Sequence, residues 1–162
     1  QHLRIETPRT WLTSGGLGAM GFGLPAAMGA QLAAPDKRVI HIAGDGGFKM
    51  TGAELYTIAN CRLPIISVVV NNRGLGMIRQ LQHAFFNQRY TACELPAMDF
   101  VAFAAAFGVP AARADTAESF AAAFAAALAA PEPRLIVADI SPEDLVKPMV
   151  PPGAAINAYL DL

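Results

Sequence analysis

Arg38-Val39-Ile40-His41-Ile42-Ala43-Gly44-Asp45-Gly46, followed after residues 47–70 by Asn71-Asn72, decides the fold of this chain. The apolar run 38–43 reads as a buried strand, and so does Pro64-Ile65-Ile66-Ser67-Val68-Val69-Val70. The stretch between them is long enough for the helical crossover that two parallel strands require. Parallel neighbours bring their carboxyl ends side by side, where open α/β sheets bind ligands. Asp45 then ends one strand, and the amide pair Asn71-Asn72 ends the next. A carboxylate, a side-chain amide oxygen and loop carbonyls are hard oxygen donors suited to Mg²⁺, which completes its octahedron with phosphate oxygens and water. Gly46 and Gly47 let backbone N–H groups come close to a phosphate. The pattern implies a clamp for a metal-bound diphosphate.

Outward from this pair the chain alternates helix and strand. A short extended piece near Trp11-Leu12-Thr13 leads to a helix expected from about Leu24 to Ala34, stopped by Pro35-Asp36. A second helix is expected over Gly52 to Asn60, a loop over Asn71 to Leu75, and a third helix over Gly76 to Phe86. Phe100, Phe103, Ala104 and Phe107 recur at helical spacing, as do Phe120, Phe124 and Leu128, and these stripes read as core. The Ala-rich stretch 117–130 favours helix. A third strand, Leu135 to Ile140, hands over to a Pro-rich tail. The expected fold is α/β, an open and mostly parallel sheet with helices on both faces.

Composition excludes several classes. With 162 residues the chain fits one domain with a full core. A net charge of −1 without a basic run gives no nucleic-acid surface. The longest apolar stretch, Phe120 to Ala130, is too short to span a bilayer, and no signal peptide opens the chain. Cys61 and Cys93 form no CxxC and read as reduced thiols of a cytoplasmic protein. Gly16, Gly18 and Gly21 satisfy GxGxxG, but the strand before them is short and Asp36 precedes the next strand rather than ending it. A dinucleotide site needs the opposite arrangement.

The GDG of Gly44-Asp45-Gly46 followed by Asn71-Asn72 resembles the cofactor motif of thiamine diphosphate-dependent enzymes. The resemblance extends along nearly the whole chain. Residues 14–27 (SGGLGAMGFGLPAA), Gly76-Met77-Ile78-Arg79-Gln80 and Pro148-Met149-Val150-Pro151-Pro152-Gly153-Ala154 look like the carboxy-terminal catalytic domain of acetolactate (acetohydroxyacid) synthase large subunits. It implies Mg²⁺ ligation by the side chains of Asp45 and Asn72 and by the carbonyl of Gly74, with Asn71 holding the loop through hydrogen bonds. Gly44, Gly46, Gly47, Leu75 and Gly76 would line the cofactor. Met20 would wedge beneath the thiazolium and serve catalysis by forcing the bent cofactor shape. The Gly18 carbonyl would accept from the 4′-amino group, and Met77 would pack on the pyrimidine.

The activity implied is decarboxylation of pyruvate and condensation of the hydroxyethyl carbanion with a second 2-ketoacid. A 2-ketoacid decarboxylase, oxidase or acetyltransferase, and a non-catalytic folded homologue, stay open as alternatives. The activating glutamate of such enzymes comes from another domain of a partner chain. Glu54 and Glu94 are the nearest local candidates, and neither sits in the matching motif. His41 reads as a hydrogen-bonded core histidine, and nothing in the spacing of His83 makes it a base. The family also implies a homodimer or homotetramer, a regulatory subunit in some members, and FAD in a middle domain.

Two further expectations concern the ends and the substrate pocket. A GQH-type motif and a first strand would stand upstream of Gly15. Gln1-His2 would lie after that motif, so the chain is expected to be a carboxy-terminal piece lacking its first strand. Residues 1–146 would form the cofactor domain and 147–162 an arm that covers the active site when cofactor and substrate are bound. In the isolated chain the arm is expected to be mobile or held by a neighbouring molecule, with rapid hydrogen exchange from Val146 to Gly153. In the pocket, Leu81 stands where acetolactate synthases carry a Trp that favours 2-ketobutyrate as the second ketoacid, which weakens the case for that selectivity.

Overall fold

The computed structural model describes residues 3–160, so the expectation placed on Gln1-His2 falls outside the described residues. Strands β1 (Ile40–Gly44), β2 (Ile66–Asn71), β3 (Ala111–Ala114) and β4 (Arg134–Asp139) form one sheet in the order β1-β2-β4-β3, every pair parallel. Gly44 pairs with Val70, and Asn71 pairs with Asp139. The expected neighbours are therefore adjacent, with the motif residues at one end of the sheet.

Helices are α1 (Gly23–Ala33), α2 (Asp45–Thr51), α3 (Leu55–Asn60), α4 (Gly76–Phe85), α5 (Phe100–Ala106) and α6 (Ala117–Ala129), with a 3₁₀ turn at Gly52–Glu54 between α2 and α3. The alternation of strand side chains divides the core in two. Ile65, Val69, Leu135 and Val137 pack beneath α1, α2, α3 and α5 with Leu24, Phe48, Leu55, Ile58 and Phe100. Ile66 and Ile136 pack on the other face against Ala127 and the Phe120 and Phe124 rings of α6. Phe48 anchors the larger cluster, edge-on to Phe100 with centroids 5.7 Å apart. Truncating so buried a ring costs about 3–5 kcal/mol.

Three expectations are corrected. The sheet has a fourth strand, because Ala111–Ala114 pairs with β4. Ala-Ala-Arg-Ala has little strand propensity, and only its position against β4 makes it extended. The helix expected from Gly52 begins at Asp45 instead and breaks at Gly52–Glu54. Gly46 and Gly47 are poor helix formers, and packing overrides that preference. Finally, Trp11-Leu12-Thr13 forms no strand. The tail after β4 contains only an isolated bridge, Met149 to Leu160, among the described residues. Its start is not free: the buried Gln80 donates to Val146 O and accepts from Val146 N, both at 2.8 Å.

Candidate cofactor site

β1 delivers Asp45 to the first turn of α2, where the residue is only 1% exposed. Neither carboxylate oxygen accepts a hydrogen bond of good geometry, although the N–H groups of Gly46, Gly74 and Asp45 itself are near enough to act on its charge. Burial raises its pKa above the ordinary carboxyl value, while the N–H groups of Gly46 and Gly74 and the charge of Lys49 pull the other way. A buried carboxylate without a well-formed hydrogen bond is costly, and a bound cation is one of the few things that relieves it. At Gly46 beside it, any side chain would have to displace the tip of Leu75. A Cβ there would lie 2.7 Å from Leu75 Cδ2 and 3.5 Å from Met20 Cε. Met20 and Leu75 therefore converge on the residue next to Asp45.

The loop after β2 is held from two sides. Asn72 Oδ1 accepts from Gly74 N at 3.2 Å, closing a local turn. Across from it, Leu75 N donates to Cys93 O at 2.7 Å and Leu95 N donates to Arg73 O at 3.0 Å. These bonds leave Gly74 so close to Cys93 that a Cβ at position 74 would stand 2.8 Å from the Cys93 carbonyl oxygen. At Gly76 a Cβ would meet Asn72 Nδ2 at 2.6 Å, so the bare backbone there makes room for the Asn72 side chain. Asn72, Gly74, Gly76, Arg79, Glu94 and Glu143 line a cleft of about 310 Å³.

The glycine-rich segment closes the near side. Gly18 has φ +66° and donates to Ser14 O at 2.6 Å, while Thr51 Oγ1 on α2 donates to Gly21 O at 2.9 Å. That second bond ties the segment to the helix carrying Asp45. Gly44 and Met77 are exposed, Gly47 and Leu81 half-buried. Of the other candidates, Glu94 lines the same cleft, and the rest make contacts of their own. Glu54 accepts from Thr57 Oγ1 at 3.2 Å, His83 Nδ1 lies 2.9 Å from the Tyr90 hydroxyl, and Glu94 enters through the antiparallel bridge to Gly74. His41 faces Ser67 at 3.4 Å, and burial lowers its pKa from 6.5 to about 4. Both cysteines are free.

Asn71 does not join Asp45 but holds the frame, donating to Asp139 at 2.6 Å. Sequence reasoning missed Asp139 and its second partner Arg113. The available signal was an acid at the end of the third expected strand, level with the amide pair.

Residues 1–138 match the family described as thiamine pyrophosphate enzyme, C-terminal TPP binding domain. The chain belongs to this family. Among curated relatives it is 46% identical to the acetolactate synthase large subunit of Parasynechococcus marenigrum, covering 99% of this chain and 26% of that protein. It is 41% identical to the acetolactate synthase isozyme 2 large subunit of Escherichia coli K12, covering 99% of this chain and 30% of that one. Among solved structures it resembles the thiamine diphosphate-dependent 4-hydroxybenzoylformate decarboxylase of Rhodococcus jostii RHA1, with a TM-score of 0.72 and 38% identity over 76% of this chain and 24% of that one. The chain thus spans under a third of the length of these relatives. No helix among the described residues of this TPP-binding domain is long and apolar enough to cross a membrane.

Proposed function

We propose that this TPP-binding domain holds thiamine diphosphate through Mg²⁺ and serves a carboligase of the acetolactate synthase type. The observation that carries the metal is Asp45, buried with neither oxygen in a well-formed hydrogen bond beside the loop of Asn72 and Gly74. One carboxylate, one amide oxygen and one carbonyl suit Mg²⁺, which keeps its other positions for phosphate oxygens and water. When bound, the cofactor supplies the carbanion chemistry by which a 2-ketoacid loses CO₂ and its acyl unit joins a second 2-ketoacid. This chain's part is to hold and shield. Asp45, Asn72 and the Gly74 carbonyl take the cation. Gly44, Gly46, Gly47, Leu75 and Gly76 give the diphosphate a close backbone wall. Met20 and Met77 offer apolar surface to the rings, and the Gly18 carbonyl accepts a proton-bearing amine.

Residues 147–162 act in this reading as an arm closing over the site, and 1–146 as the cofactor domain. The activating glutamate comes from elsewhere in the assembly, a homodimer or larger, since Glu54 is engaged by Thr57 and neither Glu54 nor Glu94 sits in the matching motif. The curated relatives are named large subunits, which favours a further regulatory subunit and a small 2-ketoacid substrate for a cytoplasmic enzyme. A decarboxylase acting on a single ketoacid is the second reading. Leu81 and the likeness to a decarboxylase structure favour it.

Calorimetric titration of thiamine diphosphate with and without Mg²⁺ tests the first reading, in protein carrying this chain at the length of its relatives. Binding should require the metal and vanish in Asp45→Ala. Unchanged affinity in that variant overturns the site. Product analysis with pyruvate and 2-ketobutyrate together separates the two activities, since a decarboxylase releases aldehyde and no acetohydroxy acid.

A further inference from the structure

Asn71 and Asp139 are register partners on β2 and β4, and their side chains meet as Asn71 Nδ2 donates to Asp139 Oδ1 at 2.6 Å. The second oxygen, Oδ2, accepts from Arg113 Nη1 of β3 at 2.7 Å. Arg113 in turn lies 3.8 Å from Asp99, whose Oδ1 caps the first turn of α5. A carboxylate can only accept, so the Asn71 amide must present its NH₂ to Asp139 and turn its oxygen away. The Asn71 main chain is tied to the same strand, its carbonyl accepting from Ile140 N at 3.1 Å. Asn71 is buried, and the residues immediately beyond it are the loop of Asn72 and Gly74.

We propose that Asp139 is a positioning residue for the metal-binding loop, a step that rests on the cofactor reading above. By holding the Asn71 amide it sets the angle at which the chain leaves β2, and with it the places of Asn72 Oδ1 and the Gly74 carbonyl relative to Asp45. Arg113 occupies the oxygen that Asn71 leaves open and offsets a negative charge at the end of the sheet where the diphosphate would sit. Mg²⁺ makes such positioning consequential, because it demands near-octahedral ligands at about 2.1 Å, whereas Ca²⁺ accepts looser shells. Residues that orient metal ligands without touching the metal change metal affinity by about 10–100-fold when removed.

The test uses protein of the relatives' full length, with Mg²⁺ or Ca²⁺ titrated against thiamine diphosphate binding by calorimetry and the melting temperature of the cofactor-free protein measured alongside. Asp139→Ala should raise the Mg²⁺ concentration for half-maximal binding by about tenfold or more, with a smaller change for Ca²⁺. Asp139→Asn, which keeps an acceptor for Asn71 but loses the charge facing Arg113, should fall between Asp139→Ala and the parent. A merely structural role would lower the melting temperature and leave both the Mg²⁺ half-point and the Mg²⁺ to Ca²⁺ ratio unmoved, and that result overturns the proposal. If Asp139→Ala does not fold, Asp139→Asn decides, and a half-point equal to that of the parent overturns it equally. Asp45→Ala is the control. If it binds the cofactor normally, the site itself is wrong and the proposal falls with it; if it binds none while both Asp139 variants match the parent, the positioning role alone is refuted.

Discussion

Asp45 and Asp139 stand at the carboxyl ends of β1 and β4, one on each side of β2, and their circumstances are opposite. Asp139 spends one oxygen on Asn71 and the other on Arg113. Asp45 is more deeply buried and has no well-formed hydrogen bond to either oxygen. A saturated carboxylate belongs to the frame. An unsaturated one of equal charge, shut away from water, destabilises the empty protein and is tolerated where a ligand completes it. The end of the sheet is therefore divided by chemistry, with the β2–β4 side built and the β1–β2 side left to be filled.

The largest effect that sharpens this division comes from Asp45 itself. Asp45→Asn should abolish Mg²⁺-dependent cofactor binding and at the same time stabilise the cofactor-free protein, because a buried neutral amide costs less to desolvate than a buried carboxylate. Asp139→Asn should have the opposite sign of effect on stability. Thermal melts of the two variants without cofactor check this, and the same direction for both would erase the contrast.

His41 offers the next largest effect. It is buried on the sheet face under α1, with a pKa lowered by desolvation from 6.5 to about 4. Its ring is hemmed in: a Cβ at Gly23 would lie 2.8 Å from Nε2. Between these two values the unfolded chain binds the proton and the folded chain does not. His41 thus leaves stability intact above about pH 6.5 and erodes it as pH falls toward 4, by a total on the order of 3 kcal/mol. Urea melts from pH 7 to pH 4 should show that slope, and His41→Gln should flatten it. A slope unchanged in the variant would assign the acid sensitivity to other groups.

Much of this was legible in the sequence, for reasons that differ by region. β1, β2 and the crossover announced themselves as continuous apolar runs ending in Gly-Asp-Gly and Asn-Asn. β2 is buried on both faces, as such a run implies, whereas β1, at the edge of the sheet, leaves Ile40 and Ile42 exposed. α6 was legible from Ala and Phe spacing. β3 was not, because its Ala-Ala-Arg-Ala is extended only through pairing with β4. The start of α2 was hidden by Gly46 and Gly47, which look like loop, and only Gly46 lies against the side chains of Leu75 and Met20. The Asp139–Arg113 pair joins residues on separate strands, and local pattern carries no trace of it. The same holds for Gln80, whose amide satisfies the backbone of a residue far along the chain.

A smaller effect compares two glycines. Gly29 lies inside α1 with nothing within 4 Å of an added Cβ, so Gly29→Ala should stabilise by about 0.5–1 kcal/mol through reduced backbone freedom. Gly74→Ala meets the Cys93 carbonyl oxygen at 2.8 Å, a backbone atom that also accepts from Leu75 N and cannot step aside. It should cost about 1–3 kcal/mol and weaken cofactor binding as well. Equal tolerance at both sites in thermal melts would mean that the loop after β2 is looser than its contacts with 93–95 imply.

The smallest effect lies in the arm. An arm mobile from Val146 onward would exchange its amides freely from that residue, but the side chain of Gln80 grips both the N–H and the carbonyl of Val146. Gln80 is itself 5% exposed and sits on α4, which starts at the end of the cofactor loop. Its amide also approaches Met149 Sδ at 3.2 Å. Beyond that point Ala154 N reaches Pro151 O at 3.1 Å, Ala158 N reaches Ala155 O at 2.8 Å and Leu160 N reaches Met149 O at 2.8 Å, isolated bonds over an exposed segment that opens easily. Hydrogen exchange should therefore find Val146 protected and residues 153–158 fast, so that any closing movement pivots after Met149 rather than at Val146. Gln80→Ala removes both bonds and should release Val146 to the fast rate while leaving the β2 and β4 amides protected. Fast exchange at Val146 in the parent would place the hinge back at the end of the sheet and make Gln80 an ordinary buried amide.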